Sequence, residues 1–258
     1  MTLFDTHAHY DDEAFDTDRD AVLAAFDGLV IDPGCTLASS QAAVDLAARH
    51  PHVYAAVGIH PENCGDFVPE HTDALRQLAQ QPKVVAIGEI GLDYYWPENP
   101  PRDFQQQVFR AQLELALELD LPVIVHDREA HGDSLAIVKE YPALRGVFHC
   151  YSGSVEMARE LLALGWYLGF DGPVTYKNAR KTVEVAEIVP LDRILIETDS
   201  PYMSPVPLRG KRNDSRNVCY IAEKLAQIKG MTTEEMARLT MENGKRLFNL
   251  SKKGEALF

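Results

Sequence analysis

Four histidines and two carboxylates carry the strongest chemical signal in this chain: the pair His7-Ala8-His9, then Glu89, His126, His149 and Asp199. Such groups are costly to bury together unless something pairs them, and a divalent metal ion is the natural partner. The mixture of nitrogen and oxygen donors suits Zn, Mn, Co or Ni, with Mg less at ease among nitrogens. Six donors exceed what one catalytic ion with an open position requires, so two ions sharing them through a bridging carboxylate is the simpler arrangement. A single histidine after a strand reads as a hydrogen-bonded loop residue, and His60 alone would be read that way. Core histidines have no reason to collect at strand ends as this set does.

Positioning these residues falls to eight short apolar runs, at 3–6, 28–31, 54–59, 84–88, 123–125, 146–148, 167–170 and 194–196. Between them lie stretches with apolar residues near i, i+3, i+4 and i+7, among them 39–49, 103–120, 155–164 and 217–229, so strand and helix alternate. Val123-Ile124-Val125 and Ile194-Leu195-Ile196 are continuously apolar, as parallel strands covered on both faces are. Eight units predict closure into a single (β/α)8 TIM barrel spanning 1–258 as one domain. An open doubly wound sheet is the competing architecture, but no G-x-G-x-x-G follows the first strand. His7, His9, His60, Glu89, His126, His149 and Asp199 all follow strands and so face the C-terminal mouth, where barrel enzymes place their sites. Alternation along a strand points His7 and His9 one way and Thr6 and Ala8 the other, and aligns Ile124 with His126 and Val147 with His149.

A content of 46% apolar and 25% charged residues is that of a folded globular protein, which excludes the disordered class. No basic leader or membrane-length apolar run is visible, so a cytoplasmic protein with no membrane partner is expected. Four scattered cysteines lack a C-x-x-C pair and are expected to be reduced and inert. The net charge of −14 argues against a generic nucleic-acid coat protein and confines any phosphate contact to a local patch. Asp32 and Asp171 sit in Asp-Pro-Gly and Asp-Gly-Pro tripeptides and read as turn residues. His50, His52, His71 and His131 lie on predicted helices or their edges and read as surface or packing residues.

Several segments together resemble the TatD-like metal-dependent deoxyribonucleases of the amidohydrolase superfamily. They are Asp5-Thr6-His7-Ala8-His9, Gly58-Ile59-His60-Pro61, Gly88-Glu89-Ile90-Gly91-Leu92-Asp93-Tyr94, 122–128, His149-Cys150-Tyr151-Ser152-Gly153 and Glu197-Thr198-Asp199-Ser200-Pro201-Tyr202. They span the chain in the family's order. The resemblance implies a barrel with two divalent ions: His7 and His9 on the first, Glu89 bridging, His126 and His149 on the second, and Asp199 beside the first. Many superfamily relatives bridge their metals with a carboxylated lysine, whereas here Lys83 lies at the wrong end of its strand and Glu89 takes the bridging place. One departure is that Arg212-Asn213 is followed by Asp214 and Ser215 where the family usually has a proline two residues on. That leaves the loop less rigid, or shaped for another substrate.

Phosphodiester hydrolysis is the reaction such a site suits best, with two divalent cations (Zn, Mg or Mn), no organic cofactor, and Asp199 as general base. Glu197, on the parity of Asp199, is expected to orient a ligand. Lys177, Arg180 and Lys181 after strand seven, and Arg209, Lys211, Arg212 and Arg216 after strand eight, form a local basic rim. Loops there are frequent phosphate sites, so His60, Arg128, Lys177 and Arg212 are the candidate substrate-binding residues. Tyr94, Tyr95 and Trp96 are placed to stack bases or to cap the barrel. The expected substrate is DNA, as single strands or ends. A small-molecule amidohydrolase or lactonase using the same metals is the rival enzyme. A metal-bearing scaffold without turnover is the non-enzymatic alternative.

Overall fold

The computed structural model describes residues 1–250. Eight parallel strands lie side by side in sequence order: β1 (Leu3–Asp5), β2 (Gly28–Pro33), β3 (Val53–Val57), β4 (Val84–Asp93), β5 (Val123–Arg128), β6 (Gly146–Phe148), β7 (Tyr167–Phe170) and β8 (Ile194–Ile196). Thr6 N donates to the Ile196 carbonyl at 3.2 Å and Ala8 bridges Ser200, which joins the last strand to the first. The result is a single (β/α)8 barrel, as the alternating pattern predicts.

Around it lie α1 (Arg19–Ala24), α2 (Leu37–Arg49), α3 (Pro69–Ala79), α4 (Arg102–Glu118), α5 (His131–Lys139), α6 (Val155–Ala163), α7 (Arg180–Ile188), α8 (Val218–Lys229) and α9 (Thr233–Leu247). Local sequence sets their starts. Thr36 and Ser39 cap α2 reciprocally, and Thr232 and Glu235 do the same for α9. Among the described residues no helix is long and apolar enough to cross a membrane.

The core has two layers. One lies between the barrel and its helices. The other fills the barrel with Phe4, Ile31, Ala56, Ile124, Val147 and Leu195, closed from below by Leu247, Phe248 and Leu250. Ile124 and Val147 point inward two residues before His126 and His149, so the same alternation carries the apolar plug upward into the polar site.

Strand limits depart from the sequence expectation most in β4, which runs to Asp93 rather than ending at Gly88. Glycines usually punctuate strands, but here they permit close packing. Gly91 has φ +144°, and a Cβ on it would lie 2.0 Å from the His126 carbonyl oxygen. The β4–β5 register shifts between Ile87 and Ile90, a bulge that re-aims Glu89. Alternation also slips after β1. Thr6 turns inward with its hydroxyl 3.3 Å from Glu197 Oε2, rather than away from the site. His7 and His9 still share a direction.

Candidate active site

Each sequence-predicted donor arrives at the mouth by a distinct local device. His7 and His9 flank Ala8, the residue bridged to Ser200, and Asp199 N donates to the His7 carbonyl at 2.9 Å. Asp199 itself has φ +55°, a left-handed conformation that a non-glycine residue adopts at a cost. Glu89 sits in the β4 bulge, with its N–H bonded to the Gly34 carbonyl at 2.9 Å. His126 lies within β5, and His149 follows β6 with its N–H on the Val125 carbonyl.

The side chains gather on both sides of Glu89, and His149 also lies within ligand reach of His7 and Asp199. On one side, His7 Nε2 and His9 Nε2 face one another at 3.1 Å; Glu89 Oε2 is 3.3 and 3.6 Å from them, and Asp199 Oδ1 is 3.8 and 3.5 Å away. On the other, Glu89 Oε1 lies 2.7 Å from His149 Nε2, 2.9 Å from His126 Nδ1 and 3.5 Å from His60 Nε2. His60 therefore belongs to the donor set geometrically, beyond the substrate-contact role expected of it.

Electrostatics follow from this crowding. Burial alone would raise the Glu89 carboxyl, but His149, His60 and His7 overcome it and hold the group well below the usual carboxylate range. Burial and the neighbouring His149 push His7 down to about 4, so its ring is neutral and its lone pair free. His126 goes the other way: against burial, hydrogen bonds to Asp93 and Glu89 lift it to about 10. Asp199 is held ionised against burial by His9 and His7. A proton can satisfy only one of two facing imidazole nitrogens, and two carboxylate oxygens flank that pair. This acceptor-rich set fits a divalent cation.

Outer contacts fix the donors. Asp93 Oδ2 lies 3.0 Å from His126 Nε2, which leaves Nδ1 turned to Glu89. Glu197, expected to orient a ligand, accepts from Cys150 N at 2.5 Å and stands 3.8 Å from His149 Nδ1, itself buried without a hydrogen-bond partner. Its space comes from Gly169, where a Cβ would meet Glu197 Oε2 at 2.5 Å. Sequence reading missed Asp93 because it ended β4 too early; the alternation Glu89, Gly91, Asp93 was the available signal.

The donors open into a cavity of about 820 Å³. Of the expected basic contacts, Arg128 lines it, whereas Lys177 and Arg212 do not. Arg212 is turned aside by a paired contact with Asp18, its Nη1 and Nη2 lying 2.8 and 2.7 Å from the two carboxylate oxygens. Lys177 projects into solvent outside the lining, Arg216 pairs with Asp214, and Arg180 pairs with Glu184. Arg180, Arg212 and Arg216 of the rim are thus paired with acids, and Asp11, Asp12, Glu62 and Asp127 add negative charge to the wall. Asp171, read as a turn residue, also lines the cavity, with Oδ2 buried and unpartnered; burial and Asp199 push it up to about 8. Asp32 takes the Tyr10 N–H at 3.1 Å, a backbone role. The loop lacking the family proline is pinned by Asn213, whose amide donates to the Thr198 and Tyr202 carbonyls at 2.9 and 2.8 Å.

The family model for TatD-related DNases matches residues 4–249. The chain belongs to the TatD-related DNase family. It is similar to the uncharacterized metal-dependent hydrolase YabD of Bacillus subtilis, 44% identical over 96% of this chain and 100% of that protein. It is also similar to the 3'-5' ssDNA/RNA exonuclease TatD of Erwinia tasmaniensis, 35% identical over 96% and 100%. The crystal structure of the Escherichia coli TatD homolog YJJV superposes with a TM-score of 0.89 at 32% identity, covering 96% of this chain and 98% of that one. This TatD-family protein is a metal-dependent hydrolase.

Proposed function

We propose that the chain is a nuclease that hydrolyses phosphodiester bonds at single-stranded DNA ends, using two divalent cations (Zn, Mg or Mn) and Asp199 as general base. The observation that carries this is Glu89, which offers one oxygen to the His7–His9 cluster and the other to the His126–His149–His60 cluster. Bound divalent cations supply Lewis acidity and bring the pKa of water near neutrality. Asp199, ionised and open to the cavity, is placed to take the proton of attacking water. Arg128 is placed to hold a substrate phosphate. Asp93 keeps His126 from rotating, and Glu197 places its carboxyl 3.8 Å from His149 Nδ1. The cavity volume lies within the range of ~300–1,000 Å³ typical of small-ligand sites, which favours a strand end over an intact duplex. A relative's naming as a single-strand exonuclease supports the same substrate class. Four free cysteines accord with a cytoplasmic setting.

The acidic wall and the diverted Arg212 favour a second reading, a small-molecule amidohydrolase or lactonase using the same metals. Hydrolysis of labelled single-stranded DNA by metal-stripped protein reconstituted with Mg, Mn or Zn separates the two. Cleavage restored by metal and lost in Glu89→Ala supports the nuclease. Turnover of a lactone or amide panel with no DNA cleavage under any metal overturns it in favour of the second reading.

A further inference from the structure

Tyr94, Tyr95 and Trp96 do different things. Tyr94 packs against the core, and its hydroxyl is committed to Asp133 and Gln106. Tyr95 and Trp96 remain 49% and 42% exposed, edge to face at 4.7 Å, and Trp96 lines the cavity that holds the metal donors. A large aromatic left that exposed at the cavity wall contributes little to folding and leaves one face free. Arg128 lies over both rings, its guanidinium carbon 3.9 Å from the Tyr95 centroid and 5.3 Å from that of Trp96. Among the described residues Arg128 makes no ion pair, unlike Arg180, Arg212 and Arg216. Its charge therefore stays available beside the rings.

The segment is also fixed in place. Tyr95 N and Asn99 Nδ2 both donate to Asp93 Oδ1, at 2.9 and 3.1 Å, and Tyr94 N donates to the Arg128 carbonyl at 2.9 Å. The aromatic step is thereby tied to Asp93, the carboxylate that also orients His126.

We infer that Trp96 is the face on which an unpaired terminal base stacks, while Arg128, seated over the Tyr95 ring, takes the adjoining phosphate. Resting on the nuclease reading above, this adds that the substrate is selected by a free base at its end. A base inside a duplex is already covered on both faces by its neighbours, whereas a splayed one presents its π-face to an aromatic ring.

Two measurements test it. Trp166 is buried, so among the two tryptophans only Trp96 reports on the cavity. Titrating the protein with oligothymidylate in the presence of EDTA, which prevents cleavage, should quench tryptophan emission saturably, and Trp96→Phe should abolish that quench. In the metal-loaded enzyme, kcat/KM for an oligonucleotide ending in a base should exceed that for one ending in an abasic site by about tenfold or more. Trp96→Ala should bring that ratio close to one, whereas Trp96→Phe should keep most of it. No quench, or a ratio unchanged in Trp96→Ala, overturns the inference even when the wild type cleaves DNA. If the wild type cleaves neither oligonucleotide the nuclease reading fails, and the emission titration alone decides whether the step binds bases.

Discussion

Asp93 Oδ2 lies 3.0 Å from His126 Nε2 and thereby decides which ring nitrogen faces the metal donors. With Nε2 engaged outward, Nδ1 points at Glu89 Oε1, 2.9 Å away. Carboxylate partners of this kind fix ring orientation, and their loss typically lowers metal affinity by about 10–100-fold. Asp93→Asn should weaken binding at the His126 cluster by that factor and leave the His7–His9 cluster unaffected. Competition against a chelator of known affinity measures this. Equal weakening of both clusters, or of neither, contradicts it.

The two rim arginines should behave oppositely. Arg128 faces the cavity with its charge free, whereas Arg212 is held by Asp18 and packs over the Phe15 ring at 4.7 Å. Arg128→Ala should weaken single-stranded DNA binding and reduce the slope of log K against log salt by about one phosphate contact. Arg212→Ala should leave that slope unchanged. A loss confined to Arg212→Ala would reverse the assignment.

Asp5 supplies a pH signature beneath the site. It is fully buried and accepts from the Thr198 N–H and hydroxyl at 2.9 and 2.6 Å. Burial pushes its carboxyl up to about 6, from 3.8. Because the folded state holds this proton more tightly, the stability it contributes is complete below about pH 4 and is lost as the pH rises to about 6. Two pKa units amount to about 3 kcal/mol. In metal-free protein, Asp5→Asn should therefore gain up to ~3 kcal/mol relative to wild type between pH 4 and pH 7. Denaturant titrations at the two pH values read the difference directly. A constant difference contradicts the prediction.

Legibility from sequence followed the regularity of the signal. Barrel and donors were readable because each apolar run is followed by a titratable residue, and β6, β7 and β8 have their expected limits. Asp93 escaped because Gly88 and Gly91 look like strand terminators, whereas in β4 they make room for a bulge and a close backbone approach. The pairing of the basic rim went unread for a different reason. Charges counted along a loop say nothing of their partners: Asp18 reaches Arg212 only through the fold, whereas Asp214 and Glu184 sit close in sequence to Arg216 and Arg180 and were simply not weighed against them. His60 was placed correctly at the mouth, yet its approach to Glu89 Oε1 depends on that same bulge.

The most direct test of the account is where cations bind. In crystals of metal-stripped protein soaked with Mn, anomalous scattering should show one peak beside His7 and His9 and a second beside His126 and His149, with Glu89 contacting both, and Glu89→Ala should lose at least one of them. A single peak in the wild type, or two peaks that Glu89 does not join, would contradict the two-cation reading.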